Sequence, residues 1–128
     1  MERRCYMAWK FQSGLALSIQ IVDRIRADIL KGVYESGGQF PTVRQLAYDA
    51  GVNPNTMQKA LSLLEKEGLL VTNSTVGRTV TDDESVLTEA RHRALDSFTK
   101  NIVKEAKNMS LDMIELIKNI EKGWDQNE

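Results

Sequence analysis

Phe40-Pro41-Thr42-Val43-Arg44-Gln45-Leu46-Ala47-Tyr48-Asp49-Ala50-Gly51-Val52-Asn53-Pro54-Asn55-Thr56-Met57-Gln58-Lys59-Ala60-Leu61 decides the fold, because it holds two helix starts and one helix stop in close succession. Pro41 biases Phe40 away from helical backbone. Thr42 followed three residues on by Gln45 makes a capping box, in which each side chain accepts from the other residue's backbone N–H. Leu46, Ala47 and Ala50 line the inner face of a helix that Gly51 ends after about two and a half turns. Asn53 is a favoured N-cap, and Pro54 suits the first helical position, where its missing N–H would be unpaired anyway. The second helix turns Met57, Ala60, Leu61 and Leu64 inward. Asn55, Gln58, Lys59 and Ser62 stay outside, and Gly68 is the stop. Two helices joined by Gly51-Val52-Asn53 make a helix-turn-helix.

Upstream, Ile21, Val22, Ile25 and Ile29 recur at helical spacing among Asp23, Arg24, Arg26 and Asp28. This predicts an amphipathic helix, started by Ser18 and ended by Gly32. Gly37-Gly38 marks a turn. Downstream, Leu69 to Thr72 and Arg78 to Thr81 are β-compatible runs, with Asn73-Ser74-Thr75-Val76-Gly77 as the hairpin tip. Asp82-Asp83-Glu84 leads into helix, where acids favour the N-terminal dipole. The helical pattern then runs to about Lys122. Val86, Leu87, Ala90, Ala94, Leu95, Phe98, Ile102, Val103 and Ala106 form one stripe. Asn108 is expected in a left-handed turn, with Ser110 capping a last helix that carries Leu111, Met113, Ile114, Leu116, Ile117 and Ile120. The expected fold is mainly α with a small β-hairpin: a winged helix-turn-helix domain plus a two-helix C-terminal dimerisation tail. Residues 1–12 are expected to be partly disordered, 13–81 to form the winged helix and 82–128 the tail.

The 128 residues carry 17 basic and 18 acidic side chains, a net charge of −1. By segment, residues 1–12 carry +2, residues 13–80 carry +1 and residues 81–128 carry −4. A polyanion would therefore meet the first two thirds of the chain. One cysteine, Cys5, excludes an internal disulfide and a multi-cysteine zinc site, and one histidine, His92, excludes a His-pair metal motif. His92 lies on the charged face Arg91-His92-Arg93 and reads as solvated. No candidate nucleophile, base or metal cluster supports an enzyme, and no cofactor is expected. No apolar run is long enough for a membrane span, no secretory signal is seen, and a cytoplasmic chain is the expectation.

In a winged helix the N-terminal part of the second helix of the motif enters the major groove. Asn55, Thr56 and Gln58 suit that position. Asparagine and glutamine pair bidentately with adenine, and a threonine methyl meets thymine's methyl. Arg44 and Lys59 are placed for phosphates, which supply affinity rather than sequence reading. An exposed Asn-Thr-Gln face alone is more often a solvated helix face. The order of cap, short helix, glycine turn, Asn-Pro cap, polar face, glycine stop and hairpin is what shifts the balance.

Those residues are recognisable. Residues 16–81 resemble the DNA-binding domain of GntR-family transcriptional regulators. The resemblance rests on Gln20-Ile21 with Ile25, Phe40-Pro41-Thr42-Val43-Arg44-Gln45-Leu46-Ala47, Gly51-Val52-Asn53-Pro54-Asn55-Thr56, and Ala60-Leu61 with Leu64-Glu65-Lys66-Glu67-Gly68-Leu69. The short helical tail looks like the YtrA-type branch, which dimerises through its tail helices. By position, the resemblance implies DNA contacts at Arg44, Asn53, Asn55, Thr56, Gln58 and Gly77, and Thr42, Lys59 and Arg78 complete the expected DNA-binding set. It departs at Ala16 and Ser18, where the family often has proline and an aromatic, and in a wing whose one charge is Arg78. Met7-Ala8-Trp9-Lys10-Phe11 resembles the usual opening of these regulators, so Met7 is a candidate natural start.

The leading expectation is a homodimeric, sequence-specific repressor that binds double-stranded DNA at a pseudo-palindromic operator. Two helices alone cannot bury the tail stripe, and Leu95, Phe98, Ile102, Met113, Ile114, Ile117 and Ile120 are expected in a dimer seam. The alternative is a protein–protein interaction module that uses the winged helix scaffold without DNA binding. The near-zero charge and the weakly basic wing favour it. The Asn-Thr-x-Gln face disfavours it, because docking surfaces are enriched in aromatics and arginine. No residue pattern identifies a small-molecule effector.

Overall fold

Three helices and a hairpin surround one apolar cluster in the computed structural model, which describes Trp9–Gln126. The order is α1 (Leu17–Lys31), α2 (Val43–Ala50), α3 (Pro54–Lys66), β1 (Leu70–Asn73), β2 (Gly77–Val80), α4 (Glu84–Asn108) and α5 (Met113–Trp124). The expected mainly α fold with a small hairpin is what the chain adopts. Cys5 and the expected start at Met7 lie outside the described residues. Of the segment 1–12, Trp9 and Phe11 are half-buried against the core, and the Trp9 ring stacks on the Arg24 guanidinium at 4.2 Å.

Local chemistry explains most boundaries. Thr42 and Gln45 form the reciprocal capping box at α2, and Asn53 Oδ1 accepts from Asn55 N–H at 2.7 Å to start α3. Gly51 ends α2 with φ 74°, a left-handed conformation that costs glycine no Cβ clash. Two expected caps fall elsewhere. Ser18 does not start α1, whose N-cap is Ala16 with no side-chain cap bond. Gln20 secures that end instead: its Oε1 accepts from Gln12 N–H, while its Nε2 donates to the Gln12 and Leu15 carbonyls. In the tail, Asn108 stays helical and Ser110 takes the left-handed conformation with φ 56°. Asp112, not Ser110, caps α5, its Oδ2 accepting from Glu115 N–H at 3.1 Å. A carboxylate answers the positive end of the helix dipole better than a hydroxyl does.

The hairpin lies one residue from the expected positions and pairs antiparallel, Leu70 opposite Val80 and Thr72 opposite Arg78. A third segment joins it. Gly37 donates to the Val80 carbonyl, Val80 to Gly38 and Phe40 to Arg78, so the chain before α2 runs along β2. Asp83 begins α4, its Oδ1 accepting from the Ser85 hydroxyl and backbone N–H. The Ser85 hydroxyl bond, then the backbone bond, hold the Asp83 carboxyl below its usual range.

The chain divides into two compact units, the first ending at Ala90 and the second beginning at Arg91. The first unit buries Ile21, Ile25, Ile29, Leu46, Met57, Leu61, Leu64 and Leu69, together with Leu87 and Ala90 from the first turns of α4. The winged helix core therefore extends past the hairpin into residues that read as tail. In the second unit, no residue of α5 is buried.

Arg26 on α1 bridges to Glu67 at the end of α3. Its Nε donates to Glu67 Oε1 at 3.0 Å, its Nη2 donates to Oε2, and Nη1 reaches Asp23 Oδ1 at 3.0 Å. The hydrogen bond to Glu67 and its charge hold the guanidinium proton more tightly than usual, against a cost from burial. The side chains are 27% and 28% exposed, so solvent screens the pair only in part. Glu67→Ala should destabilise the chain by about 1–2 kcal/mol, the value of a partly screened charged hydrogen-bond pair. Urea unfolding at neutral pH measures it, and an unchanged midpoint would show that the bridge contributes nothing net.

Candidate nucleic-acid interface

The interface begins with the phase of α3. Met57, Ala60, Leu61 and Leu64 are completely buried, which leaves Asn55, Gln58 and Lys59 on the exposed face. Thr56 is half-buried at the edge. Asn53 has spent its side-chain oxygen on the cap, and its amide nitrogen remains available to a ligand. The Gln58 amide donates to Ser62 Oγ at 3.2 Å, so its carbonyl oxygen is unengaged. Arg44, in the first turn of α2, is exposed and makes no ion pair among the described residues. Thr42 sits beside it with its hydroxyl oxygen accepting from Gln45 N–H at 3.1 Å. Thr42 and Arg44 stand at the start of α2, and Asn53, Asn55 and Thr56 at the start of α3, where first-turn N–H groups favour an anion.

The wing is arranged differently. Gly77 is exposed and takes φ 93°, a turn that a side chain would strain. Asn73 Oδ1 accepts from Thr75 and Val76 N–H groups and shapes the tip. Arg78 does not project from the wing. Its side chain is only 18% exposed, and its buried Nε lies 3.4 Å from Glu65 Oε2. Thr72, opposite Arg78 in the hairpin, donates its hydroxyl to the same carboxylate oxygen. Sequence reasoning passed over Glu65 as part of the run before Gly68. The signal was its place seven residues after Gln58, two turns along the same face. Gln39 was also passed over: its Nε2 donates to the Val76 carbonyl at 3.1 Å and ties the wing tip to the strand before α2.

The expected seam residues in the tail are mostly exposed. Phe98 is 64% and Met113 69% exposed, and Leu95, Ile114, Ile117 and Ile120 are also open, whereas Ile102 is half-buried. Among the described residues no group of three or more His, Cys, Asp or Glu side chains could hold a metal, and no helix is long and apolar enough to cross a membrane.

This arrangement has known counterparts. Residues 17–80, half of the chain, match the family described as bacterial regulatory proteins, gntR family. The chain belongs to the GntR family. The HTH-type transcriptional regulator YhcF of Bacillus subtilis is 28% identical over 117 residues, covering 89% of this chain and 97% of that protein. The HTH-type transcriptional repressor YtrA of the same organism is 29% identical over 106 residues, covering 82% of each. Among solved structures, a GntR family transcriptional regulator from Listeria monocytogenes superposes with a TM-score of 0.80 at 28% identity, covering 88% of this chain and 98% of that one. The chain is thus a YtrA-like GntR regulator with a winged helix-turn-helix domain. Its relatives are transcriptional regulators and not enzymes.

Proposed function

We propose that this regulator acts as a homodimeric repressor that reads a pseudo-palindromic operator with α3. The observation that carries the reading is the α3 face, where buried Met57, Ala60, Leu61 and Leu64 hold Asn55, Gln58 and Lys59 on the exposed side of the helix. A GntR relative of similar length, YtrA, is a repressor by name, which supports the sign of the regulation. The apolar side chains left open on α4 and α5 support dimerisation, because exposed apolar surface gains from burial against a second copy. The roles divide by chemistry. Gln58 and Asn55 pair with base edges, Arg44 and Lys59 meet phosphates, and Thr42 and Asn53 position the two helix starts on the backbone.

Arg44→Ala should weaken binding to every duplex about equally and lower the log–log salt slope by about 1. Fluorescence anisotropy across a salt series checks it, and loss of preference at a single base pair would make Arg44 a base reader instead. Gln58→Ala should cost about 1–3 kcal/mol against the duplex this protein enriches from a randomised pool and little against mixed-sequence DNA. Equal loss on both would remove direct readout by Gln58.

Ile114→Asp with Ile117→Asp in the full chain places two carboxylates in the proposed seam, where burial without partners would cost more than the contacts supply. Light scattering should report monomers. Operator affinity should fall by about 10²–10⁴, because two joined half-sites bind with high effective concentration. A variant that stayed dimeric would place the dimer contact elsewhere. One that turned monomeric yet bound its operator at full strength would end the two-half-site reading.

A further inference from the structure

Glu65 and Arg78 point to a role for this chain's wing that the helix-turn-helix does not imply. Arg78 is the wing's one basic side chain, yet its buried Nε lies 3.4 Å from Glu65 Oε2 and its side chain is only 18% exposed. Glu65 is itself 26% exposed and also accepts from the Thr72 hydroxyl on the neighbouring strand. Directly opposite residues of a hairpin share a face, so Thr72 and Arg78 both turn toward α3. Glu65 stands two turns, about 10 Å, beyond Gln58 on the stripe that also carries Ser62. On the reading that α3 meets DNA, a carboxylate on that stripe comes close to the duplex. Left alone it would repel the phosphates, and a cation beside it cancels that repulsion.

We propose that Arg78 serves as the counter-charge of Glu65 rather than as a phosphate ligand, so that the pair sets the affinity of the wing side at a neutral value. The proposal rests on the DNA-binding reading and predicts a charge ledger across four proteins. Glu65→Gln leaves Arg78 as an uncancelled cation beside the duplex. Its salt slope should steepen by about 1, and binding should tighten by about eightfold near 0.1 M salt. Arg78→Ala unmasks Glu65 and should weaken binding by a similar factor. The double variant is again neutral and should return to wild-type affinity and slope. A phosphate-binding Arg78 gives a different pattern, since the double variant would then bind as weakly as Arg78→Ala alone.

The probe is the duplex that the full-length wild type enriches from a randomised pool, followed by anisotropy over a salt series, with thermal melting of each variant. Recovery in the double variant supports the counter-charge role. A double variant as weak as Arg78→Ala overturns it, and so do four equal slopes. If Arg78→Ala melts below the assay temperature, Glu65→Gln decides alone: tighter binding supports the proposal and unchanged binding overturns it. Failure of the wild type to enrich any duplex would sink the DNA-binding reading itself, an outcome separate from any ranking of the variants.

Discussion

The complete burial of Met57, Ala60, Leu61 and Leu64 sets the rotational phase of α3, and the rest of the first unit depends on that phase. A helix advances about 100° per residue, so packing those four side chains inward leaves Asn55, Gln58, Lys59, Ser62 and Glu65 on the other side. The inward stripe meets Ile21 and Ile25 of α1 and Leu46 of α2 in one cluster. No polar residue of the outer face need make a structural contact to be held in place. The Arg26–Glu67 bridge fastens the far end of the same helix to α1, and the Asn53 cap fastens the near end. The polar face of α3 is thus the exposed consequence of a core, and its precision is that of close-packed side chains.

Most of this architecture was legible because its signals are local. A capping box, an Asn-Pro start and glycine stops each act within four residues, and all appear where the sequence places them. What was hidden depends on partners distant in sequence. Ser18 looked like a cap, but Gln20 reaches back to Gln12 and takes that role. Ser110 looked like another, but the chain turns through Ser110 and caps at Asp112. Leu87 and Ala90 continue a stripe that reads as tail, yet they are buried with the winged helix core. No periodicity marks where one helix changes its packing partners. Arg78 was the largest difference at the site. Arg78 is expected among the DNA contacts, and only the fold brings Glu65 beside it, 13 positions earlier in the chain.

Charge gives that difference its weight. Residues 13–80 carry a net +1, and much of their basic content is already paired. Arg26 is held by Glu67 and Asp23, Arg24 and Lys31 both approach Asp28, and Arg78 faces Glu65. Arg44, Lys59 and Lys66 are the basic side chains of this stretch without an ion pair among the described residues. A surface with so few open cations gains little from counterion release. On the proposed reading, its preference among duplexes would come from hydrogen bonds to base edges and from shape, for which asparagine, glutamine and serine are suited.

That poverty of charge bears on the proposed dimer. If each of three open cations contributes about 0.9 to the salt slope, one domain reaches only about 3, so counterion release adds little to its affinity. Two domains joined would present twice that charge, and the second half-site would be met at high effective concentration. Joining therefore has more to add here than in a domain with a basic wing. The tail offers the means in Phe98, Met113, Ile114, Ile117 and Ile120, apolar side chains left open in the second unit. An acidic tail suits this task, because residues 81–128 carry −4 and would be repelled by the duplex. On the proposed reading, the charge gradient along the chain suits one end to meeting the duplex and the other to meeting a second copy.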